Sequence, residues 1–192
     1  MAKRRRLDRA TVVAQAAALA DAAGSVQGVS LADLAAALDI RAPSLYNHIG
    51  GLDDLHRELA LFAMQQLLVR LRAAAAGRVG RDALMTLAAA YRHFAQEHPG
   101  IYPLTLRAPG PEDAALIALA QELLQMLLLI LASLGVQGDD ALHAIRGLRA
   151  LLHGFTTLEA AEGFKMPLNL DESFRRLMTA YLAGLTPTAR EP

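Results

Sequence analysis

Apolar residues recur at every third or fourth position along most of the chain, which is the spacing of one face of an α-helix. Gly and Pro residues interrupt this pattern and divide it into helical segments. The first segments are short, and the pattern predicts helices over about residues 8–23, 31–38 and 42–49. The sequence Ser-Leu-Ala-Asp that begins at Ser30 matches a capping box, in which the Ser hydroxyl and the Asp carboxylate bind free backbone N–H groups.

The helical segments that follow are longer. They extend over about residues 52–76, 81–98, 112–134, 139–161 and 171–184, with a short connector over 101–107. The sequence therefore predicts about nine helices, divided between a module of short helices over 1–51 and a module of long helices over 52–192.

No segment of the sequence is typical of export or of membrane insertion. The longest apolar stretch, 123–136, is shorter than the roughly 20 residues that cross a bilayer, so we expect a core or interface helix there. The basic start, 3–6, is followed by charged and polar residues rather than by an unbroken apolar run. We therefore expect a cytoplasmic protein that makes no contact with membranes.

The composition supports an all-α architecture. Ala and Leu are among the strongest helix formers, and they account for 39 and 36 of the 192 residues, against 7 Val and 6 Ile. The chain has no Cys, which excludes a disulfide scaffold, a thiolate metal site and a cysteine nucleophile. Its 19 basic and 19 acidic residues balance, so the net charge gives no indication of nucleic-acid binding.

The three short helices at the N-terminus have the order of a helix-turn-helix unit. Such a unit places its last helix in the major groove of DNA, while the helix before it braces that helix across the backbone. A small apolar core would hold the two helices at a fixed angle, and it comprises Leu34, Leu38, Ile40, Leu45 and Ile49. This leaves Ser44, Asn47 and His48 on the opposite side, where they can approach phosphates and base edges.

Residues 42–55, Ala-Pro-Ser-Leu-Tyr-Asn-His-Ile-Gly-Gly-Leu-Asp-Asp-Leu, carry a more specific pattern. The segment resembles the signature of the TetR family of bacterial transcriptional regulators: a small residue, Leu-Tyr, a variable residue, His, an apolar residue, a turn and an acidic helix start. This resemblance covers roughly residues 8–60. The segment His153-Gly154-Phe155 also resembles a C-terminal subtype of the family, the His-Gly or WHG subtype.

The resemblance implies a helix-turn-helix domain followed by a helical bundle for ligand binding and dimerisation. It implies a repressor that binds a pseudo-palindromic operator in double-stranded DNA as a homodimer. A small-molecule effector in the C-terminal bundle would release such a repressor from its operator. The connector over 101–107 is the expected lever between the ligand domain and the first helix.

Individual DNA-contact residues follow from the resemblance. Tyr46 resembles the family's phosphate-contacting tyrosine, and His48 its backbone-contacting histidine. Asn47 resembles a variable position facing the groove, where an Asn can form a bidentate pair with adenine worth about 1–3 kcal/mol of discrimination. The full set of expected DNA contacts is Ser30, Arg41, Ala42, Ser44, Tyr46, Asn47 and His48.

Several residues depart from the family pattern. Ala42 stands where many relatives carry a long base-reading side chain, and Leu52 stands where a phosphate-binding Lys is frequent. Arg41 replaces a small polar residue. Asp39 replaces the common Gly of the turn, and Asp tolerates the left-handed backbone conformation better than most residues. The basic residues 3–6 could form an arm that reaches the adjacent minor groove, or only a solubilising tail.

The long helices predict a ligand cavity and a dimer interface. Apolar side chains with a few polar anchors are typical of a small-molecule cavity, and the expected lining residues are Met85, Tyr91, Arg92, Tyr102, Met126, Arg146 and His153. The last two helices carry more apolar surface than one subunit face needs. By resemblance they pair with a second copy, through Leu151, Leu152, Phe155, Leu158, Phe174, Leu177, Met178 and Tyr181.

Catalysis and metal binding are not expected. The sequence contains no HExxH, GxSxG, P-loop or GxGxxG motif. Asp53 with His56, and Asp140 with His143, have a spacing compatible with metal ligands, but both pairs lie near polar helix starts, whereas a di-iron bundle needs inward carboxylates from four helices. We expect no metal, no cofactor and no enzymatic activity.

Two alternatives remain open at this point. The first is a helical small-molecule-binding protein whose N-terminal module does not bind specific DNA, an interpretation suggested by Ala42, Leu52 and the neutral net charge. The second is an all-α hydrolase or metalloenzyme, which would need a bound metal.

Overall fold

The computed structural model describes residues 7–187, and within this range it contains eight α-helices, two short 3-10 helices and no strand. The all-α prediction is confirmed, although the α-helices number eight rather than about nine. The α-helices are α1 (Arg9–Ala23), α2 (Leu31–Ala37), α3 (Ala42–Leu45), α4 (Leu52–Ala75), α5 (Gly80–Glu97), α6 (Ala114–Ala132), α7 (Gly138–Ala160) and α8 (Leu170–Ala183). The 3-10 helices span Val26–Gly28 and Tyr102–Thr105.

The chain forms two compact units. Of the described residues, the first unit comprises 7–66 together with 97–117, and the second comprises 67–96 together with 118–187. The first unit thus contains α1, α2, α3, the beginning of α4 and the connector that follows α5. The predicted domain boundary after residue 51 rests on the expected roles of the two modules rather than on contacts, and it stays a prediction.

Helix α1 begins and ends at residues suited to those positions. The Asp8 side chain accepts a hydrogen bond from the backbone N–H of Thr11 at 2.8 Å, which satisfies one of the free donors of the first turn. Gly24 ends the helix in the left-handed conformation, with φ of 68°, where a residue without Cβ carries no penalty. The buried face comprises Val12, Val13, Ala16, Ala17 and Ala20.

The predicted cap and turn of the helix-turn-helix are both present. Ser30 Oγ accepts a hydrogen bond from the backbone N–H of Asp33 at 3.1 Å and so caps α2. The Asp33 carboxylate accepts the Ser30 hydroxyl at 2.5 Å rather than a backbone N–H, so only the Ser half of the predicted capping box is present. Asp39 has φ of 53°, which confirms that the turn needs a left-handed residue. Leu34, Leu45 and Ile49 are almost fully buried and form the apolar centre of the pair.

The third helix is shorter than the sequence predicts. Regular α-helix ends at Leu45 rather than near residue 49. The chain continues as a turn in which the N–H groups of Tyr46, Asn47 and His48 each donate to the carbonyl three residues earlier. Such i→i+3 bonds tighten the end of a helix and satisfy its last carbonyls.

The connector after α5 is tied to α1 by the carboxylate of Asp21. One of its oxygens accepts the backbone N–H groups of Gly100 and Ile101, at 3.0 and 3.1 Å. The other lies 2.7 Å from Nδ1 of His98. A Cβ at position 100 would lie only 2.1 Å from the carbonyl carbon of Ala20, so only Gly permits this close approach.

In the second unit, α5 packs against α7 and α8 around Arg92. Its guanidinium lies 5.3 Å from the ring centre of Phe155 and 5.1 Å from that of Phe174. It also forms ion pairs with Glu159 and Asp171. Gly147 permits a close approach of α7 and α8, since a Cβ there would lie 2.6 Å from the Tyr181 hydroxyl.

Helix α6 is the most apolar helix of the part of the chain that the structure describes. Its mean hydropathy reaches 2.1, and by length and composition alone it could cross a membrane. Only Leu127, Ile130 and Leu131 are buried within the subunit. One such helix is weak evidence of a membrane span, because core helices of other proteins meet the same criteria.

Candidate nucleic-acid interface

The turn after α3 presents polar side chains on a buried apolar base. Tyr46 is 61% exposed and Asn47 is exposed, whereas Leu45 and Ile49 on either side of them are buried. His48 is half-buried. The buried side chains of Leu45 and Ile49 hold the turn in place, and the exposed Tyr hydroxyl and Asn amide can contact another molecule.

The other predicted DNA contacts lie at the starts of α2 and α3. Ser30, Arg41 and Ala42 are exposed, and Ser44 is half-buried. Arg41 precedes α3 and has no side-chain hydrogen bond to the helix start. All seven residues therefore belong to the helix-turn-helix and have some exposure, and their contacts with DNA stay predictions. The basic residues 3–6 lie outside the described residues.

A second group of residues, which we call the Arg9 network, links the start of α1 to the start of α4. It comprises the side chains of Arg9, Asp54 and Glu58 and the backbone of His48 and Gly50. Nη2 of Arg9, at the start of α1, lies 2.8 Å from Oδ1 of Asp54 and 2.8 Å from Oε1 of Glu58, both on α4. Nη1 of Arg9 donates to the backbone carbonyl of His48 at 3.3 Å. Asp54 in turn accepts the backbone N–H of Gly50 at 2.8 Å.

The electrostatics of the Arg9 network follow from these bonds. The pKa of Asp54 is lowered, first by the hydrogen bond from the Gly50 backbone and then by the bond and charge of Arg9. The pKa of Arg9 is raised, mainly by its hydrogen bond to Glu58. Arg9 and Asp54 are therefore both charged at neutral pH, and two carboxyl groups share one guanidinium.

The predicted cavity residues differ in burial. Tyr91, Arg92 and Tyr102 are buried, whereas Met85, Met126 and His153 are half-buried and Arg146 is exposed. Arg92 forms ion pairs within the subunit, because its Nε and Nη2 donate to Glu159 and its Nη1 donates to Asp171. The role of all seven as lining residues stays a prediction.

The first unit contains an open groove of about 670 Å³. It lies beside the first turns of α4 and the segment that leads into α6, and its apolar lining includes Leu61, Leu104 and Leu116. Arg57 and Asp113, which form an ion pair at 3.4 Å, also line it. None of the seven predicted cavity residues borders this groove.

The predicted interface residues divide into two groups. Leu152, Phe155, Phe174 and Met178 are buried within the subunit and pack in its core, and their contact with a second copy stays a prediction. Leu158 is 51% exposed, and Leu151, Leu177 and Tyr181 are half-buried. These four can contribute to an interface, because part of each side chain reaches the surface.

No group of three or more His, Asp or Glu side chains within residues 7–187 is arranged to hold a metal ion. His98, one of the six histidines, instead lies beside Asp21 at 2.7 Å. His153 lies 3.2 Å from the hydroxyl of Thr157. These histidines therefore have contacts within the fold that require no metal.

An exposed Tyr and Asn on a compact helix-turn-helix are typical of a DNA-binding protein, and comparisons with known proteins agree. The family model described as "Tetracyclin repressor-like, C-terminal domain" matches residues 84–181. YobS, an uncharacterized HTH-type transcriptional regulator of Bacillus subtilis, is 37% identical over 186 residues, which cover 96% of this chain and 96% of YobS.

Solved structures show the same fold. A protein of unknown function from Rhodococcus sp. RHA1 has a TM-score of 0.78 at 24% identity, covering 93% of this chain and 95% of that chain. A single-residue variant of TetR from Acinetobacter baumannii AYE, in complex with minocycline, has a TM-score of 0.67 at 21% identity, covering 93% and 96%. The chain belongs to the TetR family of transcriptional regulators and is a DNA-binding regulator. The narrower resemblance to the His-Gly subtype stays a prediction.

The Arg9 network and the contacts of Asp21 are not among the features that the sequence predicts. Arg9 and Asp54 are 45 positions apart, and Asp21 and Gly100 are 79 apart. Helical periodicity carries no information on which distant residues meet. The acidic start of α4 was the only local sign, because it placed Asp54 where a carboxylate can bind a free backbone N–H.

Proposed function

We propose that this chain is a cytoplasmic repressor that binds a pseudo-palindromic operator as a homodimer and is released by a small molecule. The observation that carries the proposal is the exposed pair Tyr46 and Asn47 between the buried side chains of Leu45 and Ile49. A rigid base with exposed polar groups is what reading a DNA groove requires.

Within this proposal the side chains have distinct tasks. The hydroxyl of Tyr46 and the imidazole of His48 bind the phosphate backbone and fix the register of the unit on the duplex. The amide of Asn47 reads a base edge, with adenine as the preferred partner. Two copies related by a two-fold axis place their α3 turns about 34–36 Å apart, one turn of DNA.

The contacts of Asp21 support the release mechanism. Helix α5 continues directly into residues 98–101, which Asp21 holds against α1. A ligand that favours a different position of α5 would therefore displace α1, and with it the spacing of the two DNA-reading turns. The shift cannot exceed the difference in ligand affinity between the two states. The proposal gives the chain no catalytic role.

Selection of bound sequences from random duplex DNA tests the proposal. We expect the wild-type protein to enrich one inverted repeat, and we expect Tyr46→Ala and Asn47→Ala to lose binding to it. Gln65→Ala, an exposed polar residue on α4, is the matched control and should bind like the wild type. Affinity should fall steeply with added salt, because phosphate contacts release counterions. Salt-independent or absent binding would favour the helical small-molecule-binding protein instead.

A further inference from the structure

We infer that Arg9 is a positioning residue for DNA reading: it holds the turn that carries Tyr46, Asn47 and His48 without contacting DNA itself. The inference rests on the proposed DNA contacts of that turn. It adds a residue of α1, outside the helix-turn-helix pair, to the set that determines operator affinity.

Arg9 holds both ends of residues 48–50, directly at His48 and through Asp54 at Gly50. Its Nη1 donates to the carbonyl of His48, the last residue of the turn. Its Nη2 binds the carboxylate of Asp54, which accepts the N–H of Gly50. Residues 48–50 are thus held from α1 and α4 together, through one guanidinium.

The partners of Arg9 also argue against a direct phosphate contact. Its Nη2 lies within 2.9 Å of three carboxylate oxygens, two from Asp54 and one from Glu58. A phosphate would have to displace these carboxylates, which hold the guanidinium in charge-assisted bonds. Arg9 instead neutralises part of their charge, and without it Asp54 and Glu58 would be less compensated beside the reading turn.

Stability and DNA binding should therefore respond differently to loss of Arg9. The side chain is 46% exposed, and exposed ion pairs contribute little to folding. The DNA-reading turn, in contrast, loses the group that holds its terminal carbonyl. We expect Arg9→Ala to remain folded, with a nearly unchanged Tm, and to bind more weakly to the operator.

The test uses the full-length protein and a fluorescent duplex carrying the sequence that the wild type selects. We expect Arg9→Ala to lower the affinity roughly 10-fold, the size of one lost hydrogen bond to a charged group. Arg9→Lys keeps the charge but not the planar fork, so it should recover only part of the loss. Gln65→Ala again serves as the control.

A double-mutant cycle separates positioning from direct contact. Asp54→Asn keeps an oxygen for the Gly50 N–H but removes the charge that Arg9 binds. We expect Arg9→Ala to cost less in the Asp54→Asn background than in the wild type, because the two residues act together. The affinity of Arg9→Ala for the duplex should fall with added salt as steeply as that of the wild type.

Two results would overturn the inference. Equal losses in both backgrounds, with a salt slope reduced by about 0.9, would show that Arg9 binds a phosphate directly. Wild-type affinity in Arg9→Ala would show that the turn needs no support from α1. If the wild type itself selects no sequence, the proposed function fails, and the inference fails with it. If the wild type selects a sequence and either of the two results above is found, the inference alone fails.

Discussion

Arg92 and Glu159 form a two-bond ion pair inside the second unit, with Nε of Arg92 2.8 Å from Oε2 of Glu159 and Nη2 bound to Oε1. The Arg92 side chain is only 7% exposed, and Asp171 accepts a third bond at 2.8 Å. Phe155 and Phe174 pack against the guanidinium. One side chain of α5 thus joins both α7 and α8.

We expect Arg92→Ala to lower the free energy of unfolding by about 3 kcal/mol, because it leaves the Glu159 carboxylate without its partner in a mostly buried position. Arg92→Lys should recover little, since Lys can neither form the two-bond pair nor stack on the rings. Urea unfolding measures both changes. The control is Arg175→Ala, which breaks an exposed pair with Glu172 and should leave the free energy of unfolding nearly unchanged. Equal costs for the Arg92 and Arg175 variants would contradict this account.

The Asp54 carboxylate should titrate below its ordinary pKa of 3.8, because the N–H of Gly50 and the charge of Arg9 favour its ionised form. Its contribution to stability is therefore complete above the unfolded pKa and is lost as the pH falls through the lower folded pKa. NMR titration of the carboxyl group measures this shift. In Arg9→Ala the pKa of Asp54 should rise toward 3.8 without reaching it, since the Gly50 bond remains. An unchanged pKa in that variant would show that Arg9 does not act on Asp54.

The exposed Leu158 provides a test of the proposed dimer. Leu158→Lys places a charge at the end of α7, where we expect the second copy to cover the side chain. The dimer should weaken, and sedimentation at micromolar concentration should show monomer. The control is Leu129→Lys, because Leu129 is 73% exposed on α6 and lies outside the predicted interface. If both variants stay dimeric, another surface joins the two copies.

Ser30 should stabilise α2 through its cap. Ser30→Ala removes the acceptor for the Asp33 N–H and should cost about 1 kcal/mol, whereas Ser30→Asn restores a capping oxygen and should cost only a few tenths. Thermal or urea unfolding of the two variants gives the comparison. Equal stability of Ser30→Ala and the wild type would mean that water replaces the hydroxyl at no cost.

Local features of the fold could be predicted from the sequence because they depend on neighbouring residues. The cap at Ser30, the left-handed turn at Asp39 and the stop at Gly24 each follow from the side chain at that position. The length of α3 could not, since the spacing of Leu45 and Ile49 is that of a continuing helix, whereas regular α-helix ends at Leu45 and i→i+3 bonds follow.

The long-range contacts of the site were not predictable from a single sequence. The residue pattern identified Tyr46 and Asn47 as candidates, but it gave no sign that Arg9 supports their turn. For Arg92 the pattern indicated a polar anchor among apolar residues, and an internal ion pair satisfies that description as well as a ligand does. The pattern could not identify the partners Glu159 and Asp171, because they lie 67 and 79 positions away along the chain.

The approach of Gly100 to the backbone of Ala20 has a genetic consequence. Any missense change in that codon adds at least one carbon atom where the carbonyl of α1 already lies. A saturation library screened for function should therefore lose nearly every variant at position 100, as completely as at a residue that touches DNA. Intolerance to change at this codon would reflect steric exclusion alone, so mutational sensitivity is a poor guide to which residues read the operator.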